Sequence, residues 1–172
     1  MKFSDGLWLN QRGFDVSYAV QAYDVTTTKN SIKIFATSSA IWNRAMTLGG
    51  VAFEITYTAV APDVIRVHIC HHKGGLQNKP QFELNLPEGY VPDDIHEEDG
   101  FVSMTAGHTT LKIKKGTDGW DVSFSRDGKR LTGGAWRSTS YIQENRFRAE
   151  NRCHAKCDDT FWSDPADPRS TY

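Results

Sequence analysis

The stretch GWDVSFSRDGKRLTGG, residues 119–134, decides how the rest of the chain is read. Trp120, Val122 and Phe124 alternate with Asp121, Ser123 and Ser125. An alternation of period two places every second side chain on one face of a strand. Asp127-Gly128 then supplies a turn, and Lys129 to Leu131 begin the return. An Asp-Gly pair between two such runs is a strong local signal for a β-hairpin.

The same period recurs outward from this hairpin, and a helical period hardly at all. In VAFEITYTAV, 51–60, Val51, Phe53, Ile55, Tyr57 and Ala59 oppose Glu54, Thr56 and Thr58. In DVIRVHIC, 63–70, Ile65, Val67 and Ile69 oppose Arg66, His68 and Cys70. TTLKIKKG, 109–116, sets Leu111 and Ile113 against Lys112 and Lys114. Upstream, VSYAVQAYDVTTT (16–28) and SIKIFAT (31–37) form a second hairpin around Lys29-Asn30. Downstream, WRSTSYIQENRFRAE (136–150) reads as one long strand, rich in aromatic and β-branched residues. Only SSAIWNRAM, 38–46, suggests a helical turn. Many short strands with regular turn signals predict an all-β chain folded as an antiparallel β-sandwich.

The chain has 172 residues, which fits a single sandwich domain over 1–172 with an irregular tail at 158–172. The net charge is −1, from 20 Lys and Arg against 21 Asp and Glu, with the basic residues spread along the chain, so a polyanion such as nucleic acid is not an expected partner. No apolar run is long enough to span a bilayer, and the start of the chain lacks the apolar core of a signal peptide. The three cysteines, Cys70, Cys153 and Cys157, are an odd number and do not read as a disulfide framework. A reducing, cytoplasmic compartment is the expectation, with no cofactor.

RVHICHHKGG, 66–75, concentrates His68, Cys70, His71 and His72 in five positions. On a strand, residues two apart lie ~6.6 Å apart on one face, so His68, Cys70 and His72 form a candidate set of three zinc ligands. Arg66 shares that face and opposes a cation, and no spacing implies a fourth ligand. The expectation is therefore a strand with Ile65, Val67, Ile69 and His71 inward, closed by a glycine turn, and no metal site. CHAKC, 153–157, lacks the second ligand pair that a zinc knuckle needs. Carboxylates gather in PDDIHEEDG (92–100), expected as a solvated loop, and in CDDTFWSDPADP (157–168). In the second cluster Phe161, Trp162 and Asp164 form a candidate sugar contact, since a ring can stack on a pyranose while the acid accepts from hydroxyls. No nucleophile–base signature or phosphate loop is present, and no catalytic residue is assigned.

The order of segments then carries a resemblance. MKFSDGLWLNQRGFDV opens the chain, with Lys2-Phe3-Ser4-Asp5-Gly6 and Trp8-Leu9. AMTLGGVAFEITYTAVAPDVIRVHICHHKGGLQNKPQFELNL, GWDVSFSRDGKRLTGG and SYIQENR follow. This series resembles the N-terminal domain of bacterial α-xylosidases and α-glucosidases of glycoside hydrolase family 31, with His71 at a family-type position. The resemblance implies a galactose-mutarotase-like sandwich. In the family that domain precedes a (β/α)8 barrel holding an aspartate nucleophile and an aspartate acid/base, and the enzymes cleave α-glycosides with retention.

The segment leading to the barrel does not follow Tyr172, so the resemblance implies a sandwich cut short before it, itself incomplete. The expected function is a non-catalytic domain that supports the sugar site and assembly of its parent enzyme, whose partners are α-linked glucosides or xylosides. Self-association or a homo-oligomer is expected, because missing strands leave edges unpaired. A stand-alone carbohydrate-binding module is the alternative, motivated by Trp42, Trp136, Phe161 and Trp162. A metal-binding protein stands behind it.

Overall fold

The computed structural model describes residues 10–71, 87, 89–117 and 119–144. Within them run eleven strands: β1 Phe14–Tyr18, β2 Gln21–Thr27, β3 Ser31–Thr37, β4 Ala52–Ala61, β5 Val64–Cys70, β6 Asp94–Glu98, β7 Phe101–Ala106, β8 Thr109–Lys114, β9 Val122–Arg126, β10 Lys129–Gly134 and β11 Ser140–Glu144. They build a four-stranded sheet, β2-β3-β4-β5, a five-stranded sheet, β10-β9-β8-β7-β6, and a two-stranded sheet of β1 and β11. Both larger sheets are antiparallel meanders. The chain divides into two units, Ser17–Tyr141 and a second made of 1–16 with 142–172. The first unit holds both larger sheets and the core.

Register explains the core. Ile34 pairs with Ile55, Ile32 with Tyr57 and Ala36 with Phe53, so the inward rows of β3 and β4 align. On the other sheet Met104 pairs with Leu111 and Val102 with Ile113, while Leu111 and Ile113 also face Phe124 and Val122. These rows form one apolar cluster to which both sheets contribute, closed by Trp120. The expected all-β antiparallel sandwich is the observed fold. Its deciding hairpin is also present: Asp127 and Gly128 both adopt positive φ, 48° and 78°, as a two-residue hairpin turn requires.

Four local expectations change. The run 16–28 is not one strand. The Ala19 N–H donates to the Thr139 carbonyl at 2.9 Å and the next N–H, of Val20, donates to the Thr37 carbonyl at 2.8 Å, so consecutive amides serve different sheets. The run 136–150 starts as a turn, with the Ser138 N–H donating to the Ala135 carbonyl, and becomes a strand only at Ser140. The acidic stretch expected as a loop forms the edge strand β6, where Glu97 pairs in register with Val102 and its carboxylate meets Lys115 at 2.8 Å. The helical turn falls at Arg44–Leu48 as a short 3-10 segment, with the Asn43 side chain accepting from the Ala45 N–H.

The largest departure is β5. Register puts Ile69 opposite Ile55 and Val67 opposite Tyr57, hence on the core side as expected. Yet Val67 and Ile69 are 43% and 50% exposed, against 3% and 1% for the partners beside them. Alternation reports which face a side chain takes, not whether the opposite layer reaches it. β5 lies at the end of the four-stranded order, and its core-side row is open to this extent.

Candidate functional site

The sequence-predicted sugar contact, Phe161, Trp162 and Asp164, lies outside the described residues, as do His72, Cys153 and Cys157 and the tail at 158–172. His68 on β5 is exposed and Cys70 half-buried. Among the described residues no three His, Cys, Asp or Glu side chains converge to hold a metal ion. His71 just past β5 makes structural contacts instead. Its Nδ1 lies 3.0 Å from the Ala52 carbonyl, and its ring sits 4.1 Å from that of Tyr141. A carbonyl only accepts, so this bond places the proton on Nδ1.

Carboxylates do gather at one end of the sandwich, from loops far apart in sequence. Asp63, in the β4–β5 turn, adopts φ 62° and donates its N–H to the Ala106 carbonyl. Its Oδ1 accepts from the His108 N–H at 2.6 Å, and its Oδ2 lies 3.6 Å from Arg126. Asp93 Oδ2 accepts from the Gly107 N–H at 2.6 Å. Asp127 Oδ1 faces His108 Nδ1 at 3.0 Å. Two aspartates thus satisfy consecutive N–H groups of the β7–β8 turn, and the third braces the imidazole beyond it. The His108 N–H, aided by Arg126, holds the Asp63 carboxyl below its ordinary range. A general acid needs the opposite shift. Through the Asp63–His108 bond this cluster ties the ends of the two sheets together.

A cleft of about 460 Å³ opens between Thr27–Lys29 and Pro92–Ile95. Its walls carry charged, hydroxyl and aliphatic groups and no aromatic ring, so it offers no surface for stacking.

The turn that carries Trp136 is different. Trp136 is 68% exposed. The Arg137 guanidinium lies 4.2 Å from the indole centroid and 5.2 Å from the Tyr18 ring, so Arg137 bridges the exposed indole to a half-buried aromatic. Arg137 holds φ 67°, an uncommon conformation for a side chain of its size. Gly134 leads into the turn, and a Cβ there would lie 2.5 Å from the Ser138 side chain. Sequence reading names Trp136 among the aromatics that motivate a carbohydrate-binding module, but places it at the start of a strand and so misses the turn. The signal available was Gly133-Gly134 immediately before it and Ser138-Thr139 after it, a composition that marks a turn. Trp42, 69% exposed, stands in the separate 38–50 loop, whose Ile41 N–H donates to the Gln21 side chain.

Comparison with known proteins then bears on the whole chain. No family model matches it. An α-xylosidase of Emericella nidulans is 26% identical over 151 residues, covering 84% of this chain and 19% of that protein. The α-xylosidase XylQ of Lactiplantibacillus pentosus is 26% identical over 132 residues, covering 77% of this chain and 17% of that protein. The chain thus spans less than a fifth of the length of these curated relatives. Among solved structures, an uncharacterized protein of Listeria monocytogenes, crystallised with α- and β-D-glucose, magnesium and calcium, matches with a TM-score of 0.56. That match has 15% identity and covers 77% of this chain and 11% of the other, so it speaks for the fold alone. The resemblance to α-xylosidases carried by the order of segments is found again by direct comparison.

Proposed function

We propose that this chain is the non-catalytic N-terminal β-sandwich of an α-glycosidase of α-xylosidase type, supporting the substrate site and assembly of a longer enzyme. The observation that carries the proposal is the span of similarity: 84% of this chain aligns with only 19% of an α-xylosidase. The all-β architecture agrees with a scaffolding layer. Two features of the described residues fit a non-catalytic role. Asp63 and Asp93 each accept from a backbone N–H group, and the Asp63 shift runs against acid catalysis by that residue. The catalytic groups of the parent enzyme belong, on this reading, to another part of it.

The test is the size and activity of the native product. An antibody to this chain is expected to detect a protein several times larger than 19.4 kDa in source cells. That protein, captured on the antibody, is expected to hydrolyse an aryl α-xyloside, and the purified 172-residue chain is expected not to. A native product at the size of this chain, or hydrolysis by the chain itself, refutes the proposal.

A further inference from the structure

We propose that the turn Ala135–Thr139 is a sugar-stacking platform, in which the open side of the Trp136 indole receives the apolar face of a pyranose ring in an oligosaccharide. The choice of a sugar as ligand rests on the reading above; the platform itself rests on geometry.

Among the described residues Trp136 stands outside the core cluster, and its large apolar surface is 68% exposed. Its ring is nevertheless held. Arg137 lies against the indole and reaches back to Tyr18, and that position is reached through a positive φ. Backbone kept in a sparsely populated region is sustained only where its surroundings over-determine it. Here they do. The Ser138 N–H closes the turn on the Ala135 carbonyl, the Ala19 N–H is fixed to the Thr139 carbonyl, and Gly134 admits the close Ser138 side chain. A ring positioned in advance loses little freedom when a ligand arrives.

Two ligand classes use an exposed tryptophan: a protein partner and a sugar. A protein interface surrounds its aromatic anchor with a contiguous apolar core. The neighbours of Trp136 in the chain are Gly133, Gly134, Ala135, Arg137, Ser138 and Thr139, in which the only apolar side chain is the Ala135 methyl group. A pyranose asks for this mixture. Its C–H face carries slight positive charge and suits the negative face of an indole, while its hydroxyl rim suits hydrogen-bonding side chains around the ring.

The experiment uses the full 172-residue chain with maltohexaose and xylohexaose as probes, followed by tryptophan emission and titration calorimetry. Saturable binding of at least one of the two sugars is expected. Trp136→Ala is expected to weaken it about tenfold or more, the loss of one stacked ring, and Trp136→Phe to retain a large part of it. Leu48→Ser removes an apolar side chain that is 93% exposed on another loop and is expected to leave binding unchanged. Absence of binding by the wild-type chain overturns the proposal, and so does equal binding by wild type and Trp136→Ala. A change of oligomeric state in Trp136→Ala by light scattering, with sugar binding intact, overturns it in favour of a protein contact. None of these results alters the native size and α-xylosidase activity on which the family reading stands.

Discussion

Ile55 and Ile69 provide a matched pair for testing how far the sandwich covers its own sheet. They are the same residue type, directly opposite in the β4–β5 register and on the same face. Ile55 is 1% exposed and Ile69 50%. Truncation to alanine removes three carbons, worth about 2.4 kcal/mol of transfer free energy at ~0.8 kcal/mol each when fully buried. At Ile55 a cavity is added, because Ile34 beside it and the opposing sheet cannot fully collapse, and the total becomes about 3–4 kcal/mol. At Ile69 half of the side chain is already in water, so the transfer loss halves to about 1.2 kcal/mol and water fills the space without a cavity penalty. Ile55→Ala is therefore expected to exceed Ile69→Ala by about 2 kcal/mol. Guanidinium unfolding of both variants, read by the emission of buried Trp120, measures the gap as a difference in midpoint at unchanged slope. Equal losses at the two positions refute the reasoning, because they require a covering layer over the core side of β5.

Three further outcomes follow from local geometry. Gly107→Ala is expected to destabilise by about 2 kcal/mol and Gly128→Ala by about 1 kcal/mol in the same assay. Both hold positive φ, but only at Gly107 does a Cβ meet another group, Asp63 Oδ1 at 2.8 Å, and an inverted order contradicts the tie. Burial raises the Tyr57 hydroxyl above its ordinary 10.0. A raised folded-state pKa adds stability that is intact below the unfolded value and lost as pH rises past it. Alkaline melts above pH 10 are thus expected to fall less steeply in Tyr57→Phe than in wild type, and parallel curves would count against this. For Asp63 the sign reverses. Its folded pKa lies below 3.8, so its contribution is present above that pH and lost as pH falls through the folded value. Asp63→Asn is expected to flatten the acid limb of the stability curve, and an unchanged limb would show that the carboxylate does not hold the turn.

What the sequence reveals and what it hides follow from the range of each interaction. Alternation along β4 is legible because Phe53, Ile55, Tyr57 and Ala59 all meet the opposing layer, so pattern and burial coincide. Along β5 the same alternation survives, but coverage depends on the lateral reach of another sheet, which no residue of β5 encodes. β7 went unread for a different reason. Val102, Met104 and Ala106 alternate as faithfully as any row, yet methionine and alanine carry little strand propensity, and the acidic β6 beside them looked like a solvated loop. The sites depend on still longer range. Asp63 opens the strand pattern of 63–70 in the sequence, and its acceptor role is defined by His108, 45 positions away, and by Arg126 beyond it. Trp136 is displayed rather than buried because Gly134, Arg137 and Ser138 turn the chain there, and because Tyr18 lies where Arg137 can bridge to it. A strand-length window that joins Trp136 to Tyr141 averages over that turn. What the strand pattern hides in this chain therefore lies in the turns between legible strands, where a positive φ or a single donated N–H outweighs the periodicity on either side.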